Sequence, residues 1–203
     1  MIEKTVNPGR SRLYALLIMV LIFAPMVLAY IMFHTGWGVS GNTTNKGDLL
    51  ESPLPIADLE LNLNEQDKLT RLYQGNDKRW RILVPVDSPC KDPCANFLYL
   101  TRQVHIRLAQ DAYRVERILL LLDELPHGQI KKLTQEHPNS IIVNSNIDAL
   151  TQWLQKNDAP KSASGYFYLI DQEGYAMMRY GEQHTGQNLL DDLKKLLKFT
   201  YDK

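Results

Sequence analysis

The sequence predicts an α/β fold in which strands and helices alternate in the order βαβαβαββα, preceded by one N-terminal transmembrane helix. Three observations support this prediction. A long uncharged stretch lies near the start of the chain, and short apolar runs recur after residue 79 with segments of helical periodicity between them. Near the C-terminus, a turn with a glycine separates two further apolar runs, which is typical of an antiparallel hairpin.

The N-terminal stretch from Leu13 to Phe33 contains no charged residue. Since roughly 20 apolar residues cross a bilayer core as a helix, we expect a transmembrane helix at 13–33. The alternative is a cleaved signal peptide, which has a shorter apolar region followed by a small-residue cleavage site. The bulky residues Ile31, Met32 and Phe33 do not supply such a site, so we expect the helix to remain as an anchor.

The charges on either side of this helix predict its orientation. Lys4, Arg10 and Arg12 precede it, whereas no charged residue follows it until Lys46. Because basic residues accumulate on the cytoplasmic side of a membrane, we expect the N-terminus in the cytoplasm and the chain after the helix on the opposite side of the membrane. The expected segments are an N-terminal tail, the membrane helix, a Gly-, Ser- and Thr-rich linker and a folded domain, at 1–12, 13–33, 34–46 and 47–203.

Both cysteines of the chain fall between a predicted strand and a predicted helix. The apolar run at 82–86 predicts a strand that is buried on both faces. After it, Asp92 is a favourable helix N-cap, and Pro93 suits the first helical position, where its missing N–H is not needed. Cys94 is then expected in the first helical turn and Cys90 in the loop before it. A thiolate there faces the positive end of the helix dipole, which favours redox exchange or metal binding.

The rest of the domain continues this alternation. We expect 47–65 to be an extended lead-in and 65–78 a surface helix or turn. The turn ending at Gly174 is expected to place a hairpin at the edge of the sheet. The remaining strands are predicted at 115–122, 140–143, 166–170 and 175–180, and the remaining helices at 127–137, 147–156 and 188–199.

Composition limits the function classes. The formal net charge is +0 at pH 7, so no basic surface predicts binding to nucleic acid. The two cysteines lie in one motif, which indicates paired chemistry rather than a disulfide-rich scaffold. His127 and His137 flank a predicted helix, and we expect them to cap it or to lie in solvent.

The strand, the two-cysteine turn and the helix resemble the active-site region of the thioredoxin superfamily. The C-x3-C spacing resembles the Sco family of copper-delivery proteins, and the chain as a whole is similar to small single-span Sco-like proteins associated with bacterial cytochrome c oxidase. This resemblance implies a thioredoxin-like fold, a bacterial inner-membrane location with a periplasmic domain, copper as a bound metal, and an oxidase subunit or assembly factor as partner. The matching pieces, besides the membrane anchor and the cysteines, are Gly47–Leu50, Trp80, Leu100–Val104, Arg114–Arg117, Tyr168–Asp171 with Gly174, Met177–Tyr180 and Asp192–Leu197.

The sequence departs from the family at the third copper ligand. Sco proteins use a histidine in the loop before the hairpin, but the corresponding loop at 157–165 contains none, and no proline directly precedes the strand as it does in thioredoxins. His184 follows the second strand of the hairpin, which returns to the cysteine end of the sheet. We therefore expect copper ligands at Cys90, Cys94 and His184, with an ordinary solvated loop histidine as the alternative for His184.

Three functions remain open from the sequence. In the first, Cys90 and Cys94 hold copper, or keep thiols reduced, during assembly of cytochrome c oxidase. In the second, they serve a general thiol–disulfide oxidoreductase in which Cys90 attacks and Cys94 resolves the mixed disulfide. In the third, the pair is a structural disulfide in a non-catalytic assembly or scaffold protein. Whether the protein is an enzyme is therefore left open.

Overall fold

The computed structural model describes residues 8–35, 44–59, 61, 78–156 and 165–200. The chain divides into two compact units, Met1–Thr44 and Asn45–Lys203. Parts of three expected segments lie outside the described residues: the linker at 36–43, the surface helix or turn at 65–77, and the histidine-free loop at 157–164.

The first unit contains one helix, α1, which spans Pro8–Thr35 with Pro25 inside it. Its portion Arg12–Thr35 has a mean hydropathy of 2.7 and is, by length and composition, able to cross a membrane. A helix that is apolar on all sides is typical of a membrane span or of a buried core. The helix extends the expected 13–33 by a few residues at each end.

The second unit is built on a six-stranded mixed sheet. Its strand order is β1-β6-β5-β2-β3-β4, with β2, β3 and β4 parallel and the other pairs antiparallel. From β2 onward the elements follow the predicted βαβαβαββα order, which confirms the predicted fold class. The strands are β1 Asp48–Pro55, β2 Trp80–Val86, β3 Val115–Leu121, β4 Ser140–Asn144, β5 Phe167–Ile170 and β6 Tyr175–Tyr180. The helices are α2 Cys94–Arg107, α3 His127–Glu136, α4 Ile147–Gln155 and α5 Gly186–Phe199, with 3-10 turns at Ile56–Asp58 and Ala109–Arg114.

The hairpin of β5 and β6 does not lie at the sheet edge, so that expectation was wrong. The extended lead-in forms β1, which pairs with the outer side of β6 from Asp48 opposite Arg179 to Pro55 opposite Tyr175. The carboxylate of Asp192 accepts hydrogen bonds from the backbone at the start of this lead-in and holds it beside the sheet. A strand that adds itself in this way satisfies the β6 backbone groups that an edge would leave unpaired.

Both faces of the sheet are covered by apolar side chains. Along β2 the side chains alternate: Ile82 packs toward α2 and α5, whereas Leu83 packs toward α4. The second face also receives Leu54, Ile56, Leu59 and Leu61, and the indole N–H of Trp153 donates to the Pro55 carbonyl at 2.8 Å. Burial on both faces explains why the central strands appear as continuous apolar runs in the sequence.

The last helix begins two residues earlier than predicted. Thr185 is its N-cap, and the Thr185 and Asn188 side chains each bond the other residue's backbone N–H in a capping box. This arrangement satisfies two backbone donors that the helix itself leaves free. The helix therefore starts at Gly186 and not at the first apolar residue.

Candidate redox and metal site

The two cysteines form a disulfide at the carboxyl end of β2, immediately before α2. Cys94 is the first residue of α2 and is 2% exposed, whereas Cys90 in the preceding loop is partly exposed. The loop is held by β3 as well, because the Ser88 N–H donates to a carboxylate oxygen of Asp123 at 3.0 Å. The pair thus has one accessible sulfur and one buried sulfur on a fixed turn.

The expected capping of α2 by Asp92 is wrong. The cap position is taken by Pro93, and no side chain caps the helix there. The Ala95 N–H instead donates to the Lys91 carbonyl at 3.0 Å, and the Phe97 N–H donates to the Pro93 carbonyl at 3.0 Å. Since these backbone donors already have partners, the Asp92 carboxylate is left exposed to solvent.

Asp87 is the third member of the site, and sequence reasoning had not assigned it as a ligand. Its carboxylate, Cys90 Sγ and Cys94 Sγ offer candidate ligand atoms that all lie within 4.8 Å of one another. Its Oδ1 is buried and makes no hydrogen bond to the described residues. The sequence does indicate this position, because Asp87 directly follows strand β2, and Asp123 likewise follows the end of strand β3. The carboxyl ends of parallel strands meet at one edge of a sheet, where sites tend to form.

His184 lies at the cysteine end of the sheet but not in this group. Its Nδ1 accepts a hydrogen bond from the Gly181 N–H at 3.0 Å, and its Nε2 lies 3.8 Å from a carboxylate oxygen of Asp48. Its ring contacts Tyr180 edge to face. The two ring nitrogens of His184 therefore face its own loop and strand β1. The candidate ligand atoms that lie within 4.8 Å of one another belong to Asp87, Cys90 and Cys94.

The loop after β6 does return toward the cysteines. Tyr180 at the end of β6 pairs with Phe167 at the start of β5, which places that end beside the carboxyl end of β2. Glu182, in the loop, lines a small surface pocket together with Asp92 and Pro93. The predicted direction of the hairpin is therefore confirmed, although it does not bring His184 to the sulfurs.

His137 caps the end of α3, which is the first of the two expected roles, and it does not lie in solvent. Its backbone ends α3, but its side chain is 6% exposed and its Nδ1 lies 3.3 Å from Arg117 Nη2. A guanidinium can only donate, so Nδ1 accepts. Burial, followed by the charges of Arg117 and Arg102, lowers the pKa of His137 to about 4. The imidazole is therefore neutral at pH 7. His127 at the other end of the helix is exposed, as expected.

A cleft of about 680 Å³ opens beside Cys90, between α2 and α3. Its floor near the disulfide is formed by Asp87 and Cys90, and its far end by Arg102 and His137. Tyr99, which is 64% exposed, lines this cleft and also the pocket at Asp92. A partner segment that lies in the cleft would meet the accessible sulfur at one end.

The arrangement supports two chemistries. The first is thiol–disulfide exchange: a thiolate of another molecule can attack Cys90 Sγ, since that residue lines the cleft. Cys94 then leaves as a thiolate at the start of α2, where the helix dipole stabilises the negative charge. In the reduced state, two sulfurs and one carboxylate face one another, and thiolates are the donors that Cu(I) prefers.

The comparisons with known proteins agree with the fold. The family model of the transmembrane-like, thioredoxin-like, C-terminal domain matches residues 80–200. No curated protein matches the sequence. Among solved structures, yeast Sco1 is 16% identical with a TM-score of 0.52, and the match covers 76% of this chain and 97% of that one.

Two further structures are similar to the chain. BsSco, described as a Sco-family cytochrome c oxidase assembly protein with a disulfide switch, is 15% identical with a TM-score of 0.51, covering 74% of this chain and 99% of that one. ScoI from Arabidopsis thaliana with copper bound is 17% identical with a TM-score of 0.50, covering 63% and 89%. At these identities the likeness concerns the fold, which is the Sco-like thioredoxin fold.

Proposed function

The chain belongs to the family of the transmembrane-like, thioredoxin-like, C-terminal domain, and on that premise we propose that it is a membrane-anchored thiol and copper-handling protein of cytochrome c oxidase assembly. The observation that carries this proposal is the Cys90–Cys94 pair, with one accessible sulfur, one buried sulfur and the Asp87 carboxylate beside them. The pair cycles between a disulfide and a dithiol, and the dithiol takes up Cu(I) as cargo.

The first unit supports the proposed location. The apolar helix α1 anchors the protein in a bacterial inner membrane, and the basic residues before it keep the N-terminus in the cytoplasm. The cysteine-bearing domain then lies in the periplasm, where disulfides persist. A cytochrome c oxidase subunit, or another assembly factor, is the proposed partner of that domain.

Cu(I) titration of the full-length protein in detergent, reduced and anaerobic, tests the proposal. Against a competing Cu(I) chelator, we expect one Cu(I) per chain in the wild type and loss of that binding in both Cys90→Ser and Cys94→Ser, because two thiolates hold the ion. His184→Ala is the matched control and should retain binding, since the imidazole faces Asp48. If the wild type binds no more Cu(I) than a double cysteine variant, the copper part of the proposal is overturned.

A general thiol–disulfide oxidoreductase is the second candidate, and the exposure of Cys90 in the cleft favours it. The two functions differ in what they require of partners. A general oxidoreductase should exchange disulfides with unrelated unfolded substrates, whereas an assembly factor should discriminate among them. Turnover of a scrambled-disulfide protein at the rate of a dedicated oxidoreductase would favour the general function.

Replacing Asp87 by asparagine is expected to make the reduction potential of the pair less negative by about 30 mV or more, equivalent to about 1.4 kcal/mol. The Asp87 carboxylate lies within 4.8 Å of both sulfurs, so its negative charge disfavours the formation of a thiolate at Cys90 or Cys94. Two unit charges about 5 Å apart repel by about 3 kcal/mol at an effective dielectric constant of 20, before solvent screening reduces the effect. Removing the charge stabilises the thiolate and hence the reduced state.

The measurement is the equilibrium of the pair with glutathione buffers of known potential. Asp92→Asn is the matched control, because Asp92 lies in the same loop but is exposed to solvent. Its potential should stay close to that of the wild type. A shift of the Asp87→Asn variant to more negative potential would contradict the electrostatic explanation.

A further inference from the structure

Two arginines at the cleft beside Cys90, Arg102 and Arg117, form no ion pair with the described residues. Arg117 is 2% exposed, and its Nη2 donates only to neutral acceptors: the Leu98 carbonyl, the Thr101 hydroxyl and the His137 ring, each at 3.3 Å. Its Nε is buried and makes no hydrogen bond among the described residues. Buried cations in proteins are ordinarily paired with acids, so an arginine of this kind is unusual.

A second guanidinium lies close to the first. Arg102 lines the far end of the cleft. Burial, and then the charge of Arg102, lowers the pKa of Arg117 to about 10. In the described part of the chain, neither guanidinium lies within 4.0 Å of a carboxylate. Two neighbouring positive charges that are not paired with an acid attract an anion from outside.

The other charged groups of the cleft do not neutralise this pair. Lys132 and Glu136 form an ion pair with each other on the exposed surface of α3, with a nitrogen to oxygen distance of 3.8 Å. His137 is neutral at pH 7 because of its low pKa. Asp87 lies at the opposite end, beside the disulfide. The cleft is therefore negative at the cysteine end and positive at the Arg102 end.

We propose that this end of the cleft is a carboxylate subsite for the partner protein that forms a mixed disulfide with Cys90. Arg102 contacts the carboxylate directly, and Arg117, behind the wall formed by Leu98 and His137, adds a second positive charge. The subsite rests on the proposed function, since it selects partners for thiol exchange at Cys90.

The spacing of the subsite from the sulfur defines the partner segment. Arg102 is eight residues along α2 from Cys94, which corresponds to about 12 Å at a rise of 1.5 Å per residue. An extended chain advances about 3.3 Å per residue. A segment that places its cysteine at Cys90 therefore reaches Arg102 with an acidic residue about four positions away.

The exchange step balances without a further reagent. The thiolate of one partner molecule attacks Cys90 Sγ, a new S–S bond forms, the Cys90–Cys94 bond breaks, and Cys94 leaves as a thiolate that takes a proton from solvent. A second partner thiolate attacks the partner sulfur of the mixed disulfide and releases Cys90. Two partner thiols are oxidised to one disulfide, and the protein pair is reduced to a dithiol.

The test uses two blocked pentapeptides with cysteine first and three alanines in between, one ending in glutamate and the other in glutamine. Full-length protein in non-ionic detergent is mixed with each peptide, and the loss of the Cys90–Cys94 disulfide is followed by alkylation and mass spectrometry. At low ionic strength we expect the glutamate peptide to react about three to ten times faster than the glutamine peptide. The ratio should fall toward one in 0.5 M salt, whose Debye length is below about 8 Å.

Two variants locate the effect. In Arg102→Gln the glutamate preference should disappear, while reaction with the glutamine peptide stays unchanged. Arg107→Gln is the matched control, because Arg107 lies on the same helix but bonds Gln187 and does not line the cleft. That variant should keep the preference. Equal rates for both peptides on the wild type, or the same loss in both variants, would overturn the subsite.

A second pair of peptides, with serine in place of cysteine, separates this proposal from the proposed function. These peptides bind without exchange, and their affinity is measured by NMR titration of the protein. If the glutamate form binds more strongly than the glutamine form, and this preference is lost in Arg102→Gln, the subsite is supported. If, in addition, no cysteine peptide reacts, thiol exchange at Cys90 is refuted while the subsite stands. Equal affinity of both forms refutes the subsite, whatever the exchange rates show.

Discussion

Replacing Asp192 by alanine is expected to lower the free energy of unfolding of the unit 45–203 by about 3–5 kcal/mol. Asp192 is 1% exposed and accepts hydrogen bonds from the Lys46 N–H at 2.9 and 2.8 Å, the Gly47 N–H at 2.9 Å and the Tyr180 hydroxyl at 2.9 Å. Alanine would leave these donors without a partner, and each buried unsatisfied donor costs about 1–3 kcal/mol.

The surroundings of Asp192 leave little room for adjustment. Burial, and then the charge of Asp192 and its hydrogen bond, raise the pKa of Tyr180, so that its hydroxyl stays protonated and donates. Gly47 lies against the Tyr180 ring so closely that a Cβ there would come within 2.5 Å of Cζ. Water cannot readily enter such a contact and replace the lost carboxylate, so the start of β1 should separate from the sheet.

Chemical denaturation of residues 45–203 measures this loss, and amide hydrogen exchange shows where it falls. Asp191→Ala is the matched control: the neighbouring carboxylate accepts one hydrogen bond, from the Gln187 side chain on the helix surface. Its replacement should change the free energy of unfolding by no more than about 0.5 kcal/mol. The explanation would fail if Asp192→Ala left exchange in β1 as slow as in the wild type.

The central part of the fold could be predicted because its signals are local. Strands β2 and β3 are buried on both faces and appear as apolar runs, with charged residues near their N-terminal ends. Strand β1 has the opposite character: all six residues before Leu54 are partly or fully exposed, and the strand contains two prolines. Its pairing depends on Asp192, which lies more than 130 residues later in the chain, and sequence periodicity carries no record of such a contact.

The site could be predicted only in part, for a related reason. Cys90 and Cys94 are close in sequence, and their place between strand and helix follows from the order of the elements. The position of Asp87 at the end of a strand can be recognised in the sequence. The burial of its Oδ1, and the lack of a hydrogen-bond partner for that atom among the described residues, cannot. Arg117 follows Glu116 in strand β3, and only the three-dimensional arrangement shows that Glu116 pairs with Arg79 and Arg81. Among the described residues, Arg117 is left with neutral acceptors.

Lowering the pH from 7 to 4 is expected to destabilise the unit 45–203 by about 3 kcal/mol through His137 alone. Burial and the charges of Arg117 and Arg102 lower the pKa of His137 from 6.5 to about 4. Between these values the unfolded chain binds a proton that the folded chain does not, so stability falls as the pH falls through this window. The shift of about 2.5 pKa units corresponds to about 3 kcal/mol at 1.36 kcal/mol per unit.

The measurement is denaturant unfolding of the wild type and of His137→Asn at pH 7, 5.5 and 4. The difference between the two proteins isolates the contribution of His137, because the carboxyl groups titrate in both. Asparagine keeps an acceptor near the position of Nδ1 for Arg117, but it does not titrate. The variant should therefore lose about 3 kcal/mol less than the wild type between pH 7 and 4. His127→Gln removes an exposed histidine from the other end of the same helix and should keep the wild-type slope. Equal slopes for the wild type and His137→Asn would mean that His137 keeps its ordinary pKa of 6.5 in the folded protein, and the cleft wall would then carry a third positive charge below that pH.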